Sequence, residues 1–342
     1  MKVVYQRPSY GIKSAFRDPV TGRKRRHTLF RIINLLLLQI SGLLKLNYCL
    51  GYPAYLNIEP TNHCNLTCPF CASGWGSGKR QKGSMPLALF KKAIDEISRF
   101  TYKVSLYNLG EPFLHNDIFE MINYASKKNI SVSLATNGIL LDQPRMIRLL
   151  DSGCEDLIFS LDAATSETYG KLRQGGDFQK LKENIAYLLR LRSQAGKLIP
   201  KVAANFIVTR ENESEMADFQ KLGESLGVDI CSFSLLWKQD LGDSLHEKQT
   251  RELLPVSRPE FNRYQNAAAR KKSCAWAWKK AVINWDGNVV ACCYDYNSLE
   301  VMGNIYAEPF KSIWNNRKFR RLRRVVKQDR RDSLLCSQCP SL

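Results

Sequence analysis

The sequence lacks both a convincing secretory signal and a stretch suited to span a membrane. Its one long apolar run, residues 29–46, begins late and has no small-residue cleavage site. Five polar residues also interrupt it, too many for a good transmembrane helix. They are Arg31, Asn34, Gln39, Ser41 and Lys45. A cytoplasmic location is therefore expected.

Cysteine is too sparse for a disulfide scaffold, with eleven Cys in 342 residues. Most of these residues cluster in short motifs, which favours metal ligation in a reducing compartment. Apolar residues make up 44% and charged residues 24% of the chain. This composition predicts a globular protein with one full-sized domain and a smaller one.

Acidic residues are scarce at both ends of the chain. Residues 1–28 contain eight Lys or Arg and one acid, residues 311–331 contain ten and one, and the net charge is +19. Such ends can meet nucleic acid, an anionic membrane or an acidic substrate, but a solvated surface is the favoured interpretation. The basic runs lack interleaved surface aromatic residues, which argues against nucleic acid as the partner.

The apolar run has the periodicity of an amphipathic helix, with Leu and Ile on one broad face and polar residues opposite. We expect this helix to dock on the main domain. The alternative is peripheral membrane contact, with the helix lying on the bilayer behind the basic arm at residues 23–26.

Three thiols stand close together after a strand-like segment, at Cys64, Cys68 and Cys71. Thiolates at this spacing can bind three irons of a [4Fe–4S] cube and leave the fourth iron open for chemistry. A closed structural site would need a fourth Cys or His nearby. His63 is a poor candidate because adjacent side chains point apart in an extended segment. The alternatives are a zinc knuckle or three unrelated thiols.

This spacing, with Phe70 directly before the third Cys, resembles the signature of the radical S-adenosylmethionine (radical SAM) enzymes. The resemblance implies that SAM chelates the open iron. One electron then cleaves SAM to a 5′-deoxyadenosyl radical, which abstracts a substrate hydrogen. It also implies an external one-electron donor such as flavodoxin or ferredoxin.

From residue 55 to residue 235, short apolar runs alternate six times with helical segments. This rhythm predicts an α/β fold with a parallel sheet covered by helices. The resemblance implies a partial (β/α)6 barrel, similar to an incomplete TIM barrel. We expect a basic arm and helix over 1–50, the radical SAM core over 51–236, a linker or cap over 237–272, and a second domain over 273–342.

Ligands of parallel α/β folds gather at the carboxyl ends of the strands. The resemblance assigns the loop after the second strand to the SAM amino group, although Asn108 stands where the family more often has a first Gly. It assigns the loops after the third and fourth strands to the SAM ribose. The predicted cofactor-binding residues are Phe70, Gly110, Glu111, Thr136, Asn137, Ser160 and Asp162.

Other polar residues follow strands without a clear motif. His115 is expected to be a hydrogen-bonded loop residue, whereas Arg173 and Lys238 are considered as substrate or proton-handling groups. The isolated thiols are expected to be small core residues. These are Cys49, Cys154 and Cys231.

A second group of thiols lies near the carboxyl terminus, at Cys274, Cys292, Cys336 and Cys339, with a predicted hairpin between the first two. Four thiolates suit a fully coordinated [4Fe–4S] cluster or a zinc site with four cysteine ligands. The arrangement resembles the shortened SPASM ("twitch") domain and implies one auxiliary cluster. Its spacing is similar to that of the aminocyclitol (2-deoxy-scyllo-inosamine) dehydrogenases. Cys293 is expected to face away from its neighbour on a strand.

The leading hypothesis is a radical SAM oxidoreductase. It would act on a small polar substrate, such as a sugar or aminocyclitol, and pass an electron to the auxiliary cluster. The alternative is a SPASM-type enzyme that modifies ribosomal peptides, although the first 50 residues are too few for a recognition domain. A zinc-binding nucleic-acid interaction protein is the non-enzymatic alternative, and it leaves Glu111, Thr136 and Asp162 unexplained.

Overall fold

The computed structural model describes residues 1–5, 29–75, 80–237, 244–262, 264, 274–337 and 339. The basic arm and Lys238 lie outside these residues. The strands in the described part are β1 Lys2–Tyr5, β2 Tyr55–Ile58, β3 Lys103–Ser105, β4 Ser131–Thr136, β5 Asp156–Ser160, β6 Lys201–Val208, β7 Ile230–Leu235, β8 Lys280–Ile283, β9 Asn288–Val290 and β10 Val301–Asn304. They form one sheet in the order β1-β7-β6-β5-β4-β3-β2-β8-β9-β10.

The six strands from β2 to β7 pair with one another in parallel and in chain order. Each passes through a helical crossover to the next, as the alternating sequence pattern predicts. At the two edges of this six-stranded parallel sheet, β2 pairs with β8 and β7 pairs with β1. Among the described residues these six strands and their helices form the partial barrel, and the α/β prediction is confirmed.

Helices connect the strands of the parallel sheet, and further helices precede and follow it in the chain. In the described part they are α1 Leu29–Leu43, α2 Ala72–Trp75, α3 Leu87–Ile97, α4 Ile118–Lys127, α5 Gln143–Asp151, α6 Ser166–Leu172, α7 Phe178–Gln194, α8 Met216–Leu226, α9 Ser244–Glu252, α10 Phe310–Trp314, α11 Arg317–Asp329 and α12 Leu334–Ser337. None of them combines the length and hydropathy needed to cross a bilayer. The isolated thiols at Cys49, Cys154 and Cys231 are buried, as predicted.

Two of the strands are short. Strand β3 ends at Ser105, because the following residues leave the ladder and turn toward the cysteine loop. Strand β9 ends at Val290. The hairpin itself forms: β8 and β9 pair antiparallel, and β8 extends the core sheet beside β2.

Helix α1 docks on the main domain, as expected, but through the face that carries its polar residues and not through its apolar face. Its buried residues are Arg31, Asn34, Leu38 and Ser41. Polar contacts explain this orientation, because Arg31 donates to the carbonyls of Ser98 and Asn129, at the carboxyl ends of two helices. The apolar stripe of α1 faces outward.

Candidate active site

The first three cysteines share one loop at the carboxyl end of β2. Cys64, Cys68 and Cys71 lie close enough for their charges to interact, and none forms a disulfide among the described residues. Burial raises the pKa of Cys64 to about 12 and also raises that of Cys68. Bare thiolates are therefore disfavoured here, whereas bound iron would deprotonate them.

The donor set of this loop fits an iron–sulfur cluster. In the part of the chain that the structure describes, no three Cys, His, Asp or Glu side chains converge as ligands of one metal ion. A cube does not require this, since each thiolate binds a different iron. Apolar Leu66 and Leu172 pack around the thiols, and His63 is exposed. These surroundings suit a buried cluster with all-thiolate protein ligands.

Gly110 allows the loop after β3 to lie directly on the cysteine loop. Its φ is +78°, and a Cβ there would stand 2.4 Å from the Thr61 carbonyl oxygen. Both features favour glycine, which has no Cβ. The next residue, Glu111, donates its backbone N–H to the His63 carbonyl at 2.7 Å. The glycine therefore fixes the position of the predicted SAM loop.

The Glu111 carboxylate is buried and joins two of the predicted SAM loops. It accepts hydrogen bonds from the Thr136 hydroxyl at 2.7 Å, the Asn137 N–H at 2.8 Å and the Phe113 N–H at 3.2 Å. Burial raises its pKa to about 7, although these donors oppose the rise. Asn137 in turn donates to the Asn65 side chain at 2.8 Å. Glu111 thus organises the turn that contacts the cysteine loop.

Asp162 and Arg173 form a buried ion pair beside Cys68. The Asp162 side chain is fully buried; it accepts from Arg173 Nε at 2.6 Å and from the Ile207 N–H at 2.6 Å. Arg173 also donates to the Cys68 sulfur at 3.6 Å and lies over the Phe70 ring. Burial opposes the Arg173 charge, but Asp162 and Cys68 raise its pKa above the usual range. Arg173 therefore connects the predicted ribose loop with the cysteine loop.

Two further residues have simpler environments. Ser160 ends β5, where it pairs in register with Asn205. His115 is buried; its Nε2 lies 2.8 Å from the Met85 carbonyl oxygen, and its Nδ1 accepts from the Asp117 N–H at 3.0 Å. The prediction of a hydrogen-bonded loop histidine is confirmed.

The carboxyl-terminal thiols also gather in space. The charge of Cys274 interacts with those of Cys292, Cys336 and Cys339, and none forms a disulfide among the described residues. Burial raises the pKa of Cys336 to about 12. Arg330 places a guanidinium 3.6 Å from the Cys339 sulfur. This donor set also fits an iron–sulfur cluster, here with four thiolates.

The expectation that Cys293 faces away from Cys292 is wrong. The two thiols lie close enough to share a hydrogen bond, which raises the pKa of Cys292. Because β9 ends at Val290, the alternation of side chains along a strand does not apply to this pair. Cys293 also lines the cavity described next.

One cavity of about 370 Å³ lies between the two groups of cysteines. Cys71 and Phe70 line it from the first cysteine loop, and Cys293, which contacts Cys292 of the second group, lines it from the other side. Its wall contains residues that sequence analysis did not assign to a substrate site: Tyr107, Asn205, Ser234, Trp237, Tyr294 and Tyr296. The Trp237 and Tyr294 rings stack with an interplanar angle of 13°. Several of these residues follow strands, but no motif distinguishes them from ordinary loop residues.

Comparison with protein families identifies both parts of the chain. The "Radical SAM superfamily" model matches residues 58–222, and the SPASM "Iron-sulfur cluster-binding domain" model matches residues 274–340. Together they cover more than half of the chain. The chain therefore belongs to the radical SAM superfamily of enzymes, whose core domain binds a [4Fe–4S] cluster and SAM. More particularly, it is a radical SAM enzyme with a carboxyl-terminal SPASM domain, which binds auxiliary iron–sulfur clusters.

Two curated relatives are similar over most of their length. One is the tungsten-containing aldehyde ferredoxin oxidoreductase cofactor-modifying protein of Pyrococcus furiosus, 25% identical over 309 residues, which are 80% of this chain and 84% of the relative. The other is the mycofactocin maturase MftC of Mycobacterium ulcerans, which is 27% identical over 303 residues. These residues cover 80% of this chain and 78% of the relative.

Solved structures share the fold at lower identity. BtrN in complex with AdoMet and 2-DOIA has a TM-score of 0.53 and 21% identity, covering 85% of this chain and 94% of that one. Streptococcus suis SuiB bound to S-adenosylmethionine has a TM-score of 0.62 and 16% identity, and the match covers 81% of this chain and 69% of SuiB. These similarities confirm the radical SAM fold.

Proposed function

We propose that this enzyme oxidises a small polar substrate by a radical mechanism in the cavity between its two groups of cysteines. The observation that carries the proposal is the cavity itself, because Cys71 and Cys293 line the same space. A substrate bound there is next to the site where a radical would form and next to the second group of thiols. This arrangement suits removal of a hydrogen and then of an electron.

We assign the cluster ligands by the grouping of the thiols. Cys64, Cys68 and Cys71 would hold the cluster that binds SAM. The auxiliary cluster would be held by the remaining group, Cys274, Cys292, Cys336 and Cys339. When bound, the first cluster and SAM supply a 5′-deoxyadenosyl radical, and the auxiliary cluster accepts an electron.

The chain's own polar groups would position the cofactor. The backbone around Gly110 and the turn at Thr136 and Asn137 are held by Glu111, so they form a fixed edge for the SAM amino group and ribose. Arg173 is held by Asp162 at the cysteine loop, where its charge suits a carboxylate. Ser160 and Phe70 complete the proposed cofactor-binding set.

The cavity wall favours a small polar molecule. Aromatic Tyr107, Trp237 and Tyr294 offer flat apolar faces, while Asn205 and Ser234 offer hydrogen-bonding groups. The side-chain oxygen of Asn205 accepts from two serine hydroxyls, at 2.7 and 3.0 Å, which fixes its orientation. A ring with hydroxyl or amino substituents, such as a sugar or aminocyclitol, matches this mixture of surfaces.

Reductive SAM cleavage provides the test. Anaerobically purified protein with SAM and a low-potential reductant should yield 5′-deoxyadenosine, and the triple variant C64A/C68A/C71A should yield none. C231A is the matched control, because it also removes a buried thiol, and it should retain cleavage. Deuterated sugars and cyclitols should then transfer deuterium into 5′-deoxyadenosine. Cleavage that persists in the triple variant would refute the assignment.

A peptide substrate is the second candidate, because curated relatives include the maturase MftC at 27% identity. Peptide substrates would predict deuterium transfer from a labelled peptide and no transfer from free sugars or cyclitols. That result would keep the radical mechanism and replace the proposed substrate class.

A further inference from the structure

Helix α1 exposes its apolar face to the outside of the molecule. Along one stripe, at a spacing of three or four residues, lie Leu29, Ile33, Leu36, Ile40 and Leu43. Their exposed fractions run from 42% at Ile40 to 81% at Leu43. The stripe follows the helical repeat over about 20 Å. An apolar surface this long is unusual unless something covers it.

Hydrogen bonds from polar side chains along α1 hold its polar face against the protein, so that its apolar face points outward. Arg31 binds backbone carbonyls near its start, and Asn34 bonds both the N–H and the carbonyl of Tyr52, at 2.7 and 2.8 Å. Near its end, the Ser41 hydroxyl accepts from the Leu50 N–H at 2.9 Å. Rotating the helix to bury its Leu and Ile side chains would break all of these bonds. These hydrogen bonds therefore stabilise the orientation in which the apolar face of α1 is exposed.

A group of cations lies beside the carboxyl end of this stripe. It consists of Arg317, Lys318, Arg320, Arg321 and Arg324 on α11, which line a groove together with Asn47 and Tyr48. All five are exposed, and among the described residues none has a carboxylate within ion-pair distance. Tyr48 is also 53% exposed, so an aromatic ring stands between the two surfaces.

Hydrogen bonds join the loop after α1 to the cationic helix α11 and to Asn315 just before it. Arg323 is buried on the opposite side of α11, where it donates to the Asn47 carbonyl at 3.3 Å and to Asn315 Oδ1 at 2.9 Å. Asn315 exchanges two hydrogen bonds with the backbone of Cys49, both 2.9 Å. The loop that follows α1 is thus hydrogen-bonded to the cationic helix, and this connection links the apolar stripe to the cations as one candidate surface.

We propose that this surface binds the face of an anionic lipid bilayer, with α1 lying in the interface and the α11 cations on the headgroups. An exposed apolar helix inserts its side chains at the headgroup boundary, and anionic lipid attracts the neighbouring cations. The sequence just before α1 strengthens this match, since residues 6–28 add seven Lys or Arg and one acid. With seven basic residues and one acid, that segment is a poor partner for the cations of the groove, and so is a second copy of a chain with net charge +19.

Vesicle co-sedimentation with the full chain, purified anaerobically with its clusters, tests the proposal. Binding is expected to phosphatidylcholine vesicles containing about a third phosphatidylglycerol, and at least tenfold weaker binding to phosphatidylcholine alone. The variant I33Q/L36Q/I40Q should lose at least tenfold in affinity. The variant R320Q/R321Q/R324Q should lose a similar factor, and its residual binding should depend less on salt.

Matched controls remove the same kinds of side chain elsewhere. L198Q and V256Q replace other exposed apolar residues, and K180Q/R210Q replaces exposed cations of the barrel. All should bind vesicles as the wild type does. Each variant should retain SAM cleavage, so failure of membrane binding is distinguishable from failure of the proposed chemistry.

Three results would overturn the proposal. The first is no binding to anionic vesicles, or unchanged binding by I33Q/L36Q/I40Q. The second is a wild-type dimer that this variant converts to a monomer, which would assign the stripe to a second copy. The third is tight binding of poly-glutamate that displaces vesicles and does not need the stripe, which would assign the groove to an acidic polymer.

Discussion

Replacing Arg173 by Met should destabilise the enzyme, because it leaves the Asp162 charge buried without its partner. The Asp162 side chain is 0% exposed, and Arg173 provides two of its three hydrogen-bond donors. Breaking a buried pair in this way costs about 3 to 5 kcal/mol. For a chain of 342 residues, with an unfolding entropy of about 2.1 cal/mol/K per residue, that loss corresponds to a decrease in Tm of roughly 4 to 7 °C.

The assay is thermal unfolding of the anaerobically purified protein, followed by circular dichroism. The double variant R173M/D162N should be more stable than R173M alone, since it removes the unpaired charge as well. Asn is a suitable replacement because Asp162 has a φ of +55°, a region that Asn tolerates.

The matched control is R192M, which breaks a less buried pair. The Arg192 and Asp229 side chains are 14% and 20% exposed, and Asp229 keeps Lys201 at 3.4 Å. Its loss should be about 1 kcal/mol. If R173M were no less stable than R192M, or if the double variant were as unstable as the sum of the two single variants, the ion pair would not have the role assigned to it.

Three other predictions follow from the site. Burial raises the pKa of Glu111 to about 7, so the folded state binds a proton more tightly than the unfolded state, and the free energy of unfolding should fall by about 3 kcal/mol between pH 4.5 and 7. Urea titrations at several pH values should show this decrease in the wild type, and an equal decrease in E111Q would contradict it. Replacing Asn137 by Ala removes its 2.8 Å hydrogen bond to Asn65 and should weaken SAM binding several-fold in equilibrium dialysis, while the iron content of the auxiliary cluster stays the same. Unchanged SAM affinity would refute a positioning role for Asn137. The variant C336A/C339A should retain 5′-deoxyadenosine formation but lose about half of the iron and all product formation; normal turnover by this variant would exclude an electron-accepting role for the second cluster.

The sequence predicted the parts of the fold that depend on local pattern. Alternating apolar runs predicted six parallel strands in chain order, and cysteine spacing alone indicated both iron–sulfur regions. The resemblance to the family motif singled out Gly110, and the structure gives the physical reason for a glycine there, since its backbone has a φ of +78° and lies against another loop.

Long-range polar contacts were not readable in the same way. The pattern of helix α1 indicates an amphipathic helix, but hydrophobicity alone predicts that its apolar face is buried. The partners of Arg31 are 67 to 98 residues away in the chain, and they reverse the orientation. The pairing of Asp162 with Arg173 and the cavity shared by Cys71 and Cys293 also depend on how loops meet in space.

The most direct test of the account is whether SAM binds the cluster held by Cys64, Cys68 and Cys71. Electron paramagnetic resonance of the reduced C336A/C339A variant, which should contain only this cluster, measures it. A clear change in the spectrum is expected when SAM is added, because SAM would bind the open iron. An unchanged spectrum, or colourless protein that contains zinc in place of iron, would contradict a SAM-binding cluster at these three cysteines.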